Sequence, residues 1–158
     1  MQFHANDPSA LVVETFRRIQ AERMSGLPML NPALTVAAVG FALSQEREWR
    51  GILLTPWGLG LMLLPATQDW PPVVEHQRVF RAYASGSFAF LGNREEGLGD
   101  YLICPLIHDT SQFADQAAAE LTARACLIAL DMAPAQAPAA DQDAPSCSGR
   151  RKFLALDG

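Results

Sequence analysis

WRGILLTPWGLGLMLLP, residues 49–65, holds two apolar runs separated by a Pro-Trp-Gly break. Trp49 to Thr55 is one strand; Pro56, lacking a backbone N–H, interrupts it. Leu59 to Leu64 is a second strand. Its consecutive Leu61, Met62, Leu63 and Leu64 belong to a strand covered on both faces or lying beneath a partner. The break and the glycines at 58 and 60 leave no membrane span, which needs about 20 residues. Just upstream, Thr35 to Leu43 is rich in small and β-branched residues. With the polar connection Gln45 to Glu48, it makes a hairpin with Trp49 to Thr55.

Outward from this sheet nucleus the pattern turns helical at both ends. Asp7 or Asn6 caps a first helix with Pro8 in its first turn and Val12, Phe16 and Ile19 on one face, ending at Gly26 and Pro28. Ala118, Leu121, Ala125 and Ile128, continued by Met132, set the inward stripe of a helix over Asp115 to Met132. Between the two, Pro71-Pro72 stops regular structure, and Val73 to Tyr83 reads as a short helix or an irregular lid. Ser87 to Leu91 and Tyr101 to Leu106 are partner strands around a turn at Asn93 to Gly99. The expected fold is α+β: an antiparallel sheet flanked by an N-terminal and a C-terminal helix, with a flexible C-terminal tail.

The 158 residues suit one domain. It spans 1–132, followed by an Ala/Pro-rich linker at 133–149 whose composition cannot bury enough apolar surface to order itself, and by a basic tail at 150–158. Residues 1–149 hold nine basic and sixteen acidic side chains, whereas 150–158 hold three and one. The net charge of −5 argues against a nucleic-acid binder. Three widely spaced cysteines form no zinc or disulfide pattern. With no signal peptide at Met1 to Pro8, the expected setting is reduced, soluble and cytoplasmic, without stable membrane insertion.

Enzyme signatures are absent: no GxSxG, no P-loop, and no GxGxxG opening a helix. The histidines do not pair as a helical metal site, so neither metal nor cofactor is expected. Cys104 and His108 could serve a small thiol-dependent enzyme or redox protein, although a packed strand cysteine explains Cys104 as well. Pro56 places its segment at a sheet edge or bulge. There Trp57 and the Leu/Met run are either ordinary core or an apolar peptide groove.

The blocks Asn31-Pro32-Ala33-Leu34-Thr35-Val36, Ala38-Val39-Gly40-Phe41 and Gly51-Ile52-Leu53-Leu54-Thr55-Pro56-Trp57 resemble the HybE family of [NiFe]-hydrogenase assembly chaperones. Leu61 to Pro65, Ser85 to Phe90 and Tyr101 to Leu106 continue the resemblance in family order. It implies a non-catalytic chaperone of the bacterial cytoplasm that binds hydrogenase subunit precursors and works beside other maturation proteins. The precursors include a small subunit bearing a twin-arginine signal, held until maturation is complete. Gly58-Leu59-Gly60 and Pro105 to Asp109 depart from the family's usual residues. The CxxC pairs of a fused rubredoxin are missing, so iron binding does not carry over. The expected protein-binding surface is Trp57, Leu59 and Met62, extended by Phe88 and Phe90.

Arg150-Arg151-Lys152-Phe153-Leu154 resembles the core of a twin-arginine signal, but at the wrong end of the chain and without a following apolar region. It reads as a basic tail for surface contacts, or as a mimic that visits the client groove and so autoinhibits or self-associates. Glu46, Glu48 and Asp69 are the carboxylates that could receive its arginines.

Overall fold

The computed structural model describes residues 2–44 and 47–133. The linker and the 150–158 tail, with Arg150, Arg151, Phe153 and Leu154, lie outside the described residues, apart from Ala133. Helix α1 (Ser9–Ile19) continues as one π-helical turn, Gln20–Met24. The Asp7 Oδ1 accepts from the Ser9 backbone N–H at 2.9 Å, which starts the helix, and Gly26, at φ +82°, ends the segment.

Six strands follow: β1 (Ala37–Leu43), β2 (Glu48–Thr55), β3 (Gly58–Pro65), β4 (Arg78–Tyr83), β5 (Gly86–Glu95) and β6 (Gly99–Ile107), and then helix α2 (Gln116–Leu130). All pairs are antiparallel, in the order β1-β2-β3-β6-β5-β4. Two three-stranded meanders are thus joined through β3 and β6. The α+β reading holds, with one helix on each face of the sheet. Beneath α1, Val12, Phe16 and Ile19 pack with Leu53, Met62, Leu64 and Tyr101. Beneath α2, Ala119, Ala123, Cys126 and Leu130 pack with Ile52, Leu54, Leu59, Leu61, Leu63, Phe90 and Leu102. The leucine run of β3 is consecutive because odd and even positions each face a helix. Each such fully buried aliphatic side chain contributes about 1.5–3 kcal/mol.

Three expectations change. The Val73 to Tyr83 segment forms neither helix nor lid; its C-terminal half is edge strand β4. There Val79, Arg81 and Tyr83 turn inward, and Arg78, Phe80 and Ala82 outward. An inward arginine hides the alternation in sequence, and Arg81 turns in because the buried Glu48 carboxylate receives it at 3.3 Å. Pro56 is not at an edge: it sits with Trp57 in the two-residue turn joining central strands β2 and β3, where no ladder donor is required.

The third change is the orientation of α2. Its stripe Leu121, Ala125, Ile128 and Met132 faces outward, and the small residues Ala119, Ala123 and Cys126 face the sheet. Leu121 and Ile128 share a helix face, but a face of small residues lets the helix axis approach the sheet more closely. β1 is shaped for that approach. Gly40, at φ +68° in the irregularity between Val39 and Ala42, lies where a Cβ would run into the Leu127 side chain. The helix is capped by Asp115, whose Oδ1 accepts from the Ala118 N–H at 2.8 Å. Its far end is clasped by Arg50, which donates to both Asp131 oxygens at 2.9 and 2.6 Å.

Candidate protein-binding site

Three loops meet at one end of the sheet around a single oxygen. The Pro56 carbonyl accepts from the Asn31 backbone N–H at 2.9 Å and from the Thr110 hydroxyl at 2.8 Å. The Asn31 Nδ2 donates to the Thr110 and Phe113 carbonyls at 2.8 and 3.0 Å, while its Oδ1 accepts from the Ala33 N–H. The β2–β3 turn closes on itself: the Thr55 hydroxyl donates to the Gly58 carbonyl at 3.1 Å and accepts from the Trp57 N–H at 3.3 Å. Asn31-Pro32 and Thr55-Pro56-Trp57 therefore belong to one hydrogen-bonded junction although they are 24 residues apart.

Beside the junction lies an open cleft of about 510 Å³, with Pro28, Met29 and Leu30 on one wall, His108 to Ser111 on the other, and Phe113. Met29 is 58% exposed and Leu27 40%. On the polar wall the Asp109 carboxylate accepts from the Ser111 hydroxyl and N–H, and those bonds hold its pKa below the usual carboxylate range. The cleft thus offers apolar side chains opposite a fixed negative charge, on loops that the junction holds in place. It was missed in the sequence because 26–32 reads as a helix stop and a turn. The available signal was apolar Leu27, Met29 and Leu30 within a Gly/Pro-rich loop.

The five residues expected to form one surface do not do so. Strand alternation sends Leu59 and Met62 to opposite faces of β3, Leu59 beneath α2 and Met62 beneath α1. Phe90 is fully buried on the α2 side. Phe88 is half-buried there, edge-on to Tyr83 with centroids 5.9 Å apart. Trp57 is half-buried on the α1 side, in the turn that joins the junction. Of the carboxylates suggested for arginines, Glu48 is buried and already accepts from the Trp70 indole at 2.7 Å and from Arg81. Asp69 is exposed and lies 3.6 Å from Arg47, and Glu46 is outside the described residues.

Burial pushes the Cys104 thiol up to about 11, opposite to the depressed pKa of a thiolate nucleophile. His108 sits on the exposed loop beyond β6. Among the described residues no cluster of three or more His, Cys, Asp or Glu could hold a metal ion, and no helix is long and apolar enough to cross a membrane.

The family model described as [NiFe]-hydrogenase assembly, chaperone, HybE matches residues 7–156. The chain belongs to this family. It is 34% identical to Protein HoxT of Cupriavidus necator over 152 residues, covering 89% of this chain and 84% of that protein. It is 37% identical to the Probable rubredoxin HupJ of Rhodobacter capsulatus over 123 residues, covering 77% of this chain but only 44% of that protein. The fold matches the solution structure of HybE from Escherichia coli with a TM-score of 0.69 at 23% identity, covering 92% of this chain and 91% of that one. Membership makes this chain a hydrogenase assembly chaperone, and the family match runs past α2 into the basic tail.

Proposed function

We propose that this chaperone binds [NiFe]-hydrogenase subunit precursors in the bacterial cytoplasm, among them a small subunit with a twin-arginine signal. It holds them, without catalysis, until maturation is complete. The observation carrying this reading is the cleft beside the Pro56 junction. Apolar Met29 and Leu27 stand exposed on a loop that backbone and Asn31 hydrogen bonds fix in place. A rigid apolar wall facing a carboxylate suits an extended segment with apolar and basic residues, and its fixed geometry lowers the ordering cost of capture. Trp57, in the β2–β3 turn of the same junction, is the part of the expected surface retained here.

The test is precursor capture by Met29→Asp, with thermal unfolding measured in parallel. Capture should weaken about ten-fold, equivalent to ~1.4 kcal/mol, with little change in Tm. Unchanged capture would overturn the cleft as the site. In Trp57→Ala, capture should fall more than stability; unfolding of the domain would instead assign Trp57 to the core.

A further inference from the structure

Helix α2 is apolar on both sides. Its inner face is satisfied by the sheet, yet Leu121, Ile128 and Met132 are 71%, 64% and 59% exposed. With Ala125 they lie at i, i+4, i+7 and i+11, one stripe facing water. From Leu121 to Met132 the stripe runs about 16 Å on a helix about 10–12 Å wide. That footprint is a small fraction of the ~800 Å² per partner that a stable dimer buries, so its area suits a short segment better than a second folded copy.

We propose that the segment Arg150 to Leu156 of this same chain docks on the outer stripe of α2. Four observations select it. Beyond Met132, the large apolar side chains are Phe153, Leu154 and Leu156, together within four residues. The chain leaves the helix at the stripe's own end, and the 17 residues 133–149 can span at most about 55–60 Å, well beyond the distance back to Leu121. The charges favour it modestly: α2 and its caps carry Asp115, Glu120 and Asp131 against Arg124 and the Arg50 that clasps Asp131, a surplus of one negative charge, and the segment opens with Arg150, Arg151 and Lys152. The family match extends through this segment to residue 156, so the family pattern includes it along with the folded body. Phe153 and Leu154 cover Leu121, Ala125 and Ile128 while the basic residues lie along the Glu120 flank. This contact is separate from the cleft beside Pro56 and does not depend on its role.

The test is paramagnetic relaxation in the full chain, with a spin label on Cys147 and Cys104 and Cys126 confirmed unmodified by mass spectrometry. Methyl signals of Leu121, Ile128 and Met132 should lose intensity to the same extent at every protein concentration. They should recover in F153S/L154S. In a mixture of spin-labelled chain with separately isotope-labelled chain, the loss should be absent. Loss in that mixture would overturn the proposal in favour of a second copy on the stripe. Unaffected methyls in the labelled full chain would overturn it outright.

Discussion

Helix α1 sends Val12, Phe16 and Ile19 into the sheet and keeps Glu14 and Arg17 in water, whereas α2 sends Ala119, Ala123 and Cys126 inward and leaves Leu121 and Ile128 outside. The two helices pack on opposite faces of one sheet. One does so through side-chain volume and the other through close approach. Deleting atoms should therefore damage the α1 side, and adding them should damage the α2 side. The outer surface of α1 is an ordinary solvated face; that of α2 has the chemistry of an interface.

The largest effect is expected at Phe16, which meets Tyr101 edge-on at 6.0 Å in the α1 cluster. Phe16→Ala should cost about 3–5 kcal/mol in chemical denaturation, through lost burial and the cavity left behind. Ala123→Leu makes the reverse test. Its Cβ faces the sheet with no exposure, so overpacking should cost about 1–3 kcal/mol. If Ala123→Leu were neutral, close approach would not be what seats α2.

The clasp at the C-terminal end of α2 should matter less. The Arg50 hydrogen bonds hold the Asp131 pKa below its ordinary value of 3.8. The folded state therefore favours the carboxylate. The clasp's contribution is complete above that ordinary value, which the unfolded chain retains, and is lost as pH falls through the lower folded value. Asp131 is more than half exposed, so Asp131→Asn should cost only about 0.2–1 kcal/mol at pH 7 and low salt. The difference from wild type should shrink in acid and at high ionic strength.

The smallest stability effect is expected on the outer stripe. Ile128→Ser should leave the unfolding free energy of a chain ending at Met132 within about 0.5 kcal/mol, as for a surface position. A larger loss in that truncated chain would mean that the stripe already packs against the folded body.

Strand and helix patterning revealed most of the fold because β2, β3 and α1 bury large side chains with the expected periods. It failed on α2 because burial followed helix-to-sheet distance: Ala119, Ala123 and Cys126 form as regular a stripe as Leu121, Ala125 and Ile128, and hydrophobicity alone ranks the wrong one first. It failed on β4 because Arg81 points inward to Glu48, a pairing with a residue 33 positions away. The site was legible only as fragments. Asn31-Pro32 and Thr55-Pro56-Trp57 stood out as blocks, but no local pattern says that they share an acceptor. Nearness along the chain groups Trp57, Leu59 and Met62, whereas strand alternation separates Leu59 from Met62.

The Pro56 carbonyl has one more implication. The loop at Asn31 leads from α1 to β1, and the loop at Thr110 leads from β6 to α2, so the approaches to both helices are moored to one atom. That atom and the Asn31 donor belong to the main chain, which side-chain replacement leaves in place. Of the two bonds, the one from the Thr110 hydroxyl is deleted by an ordinary side-chain change, and the one from Asn31 only by proline. Ordinary side-chain changes around the junction therefore leave the Asn31–Pro56 bond intact, and with it the anchoring of the loop that leaves α1.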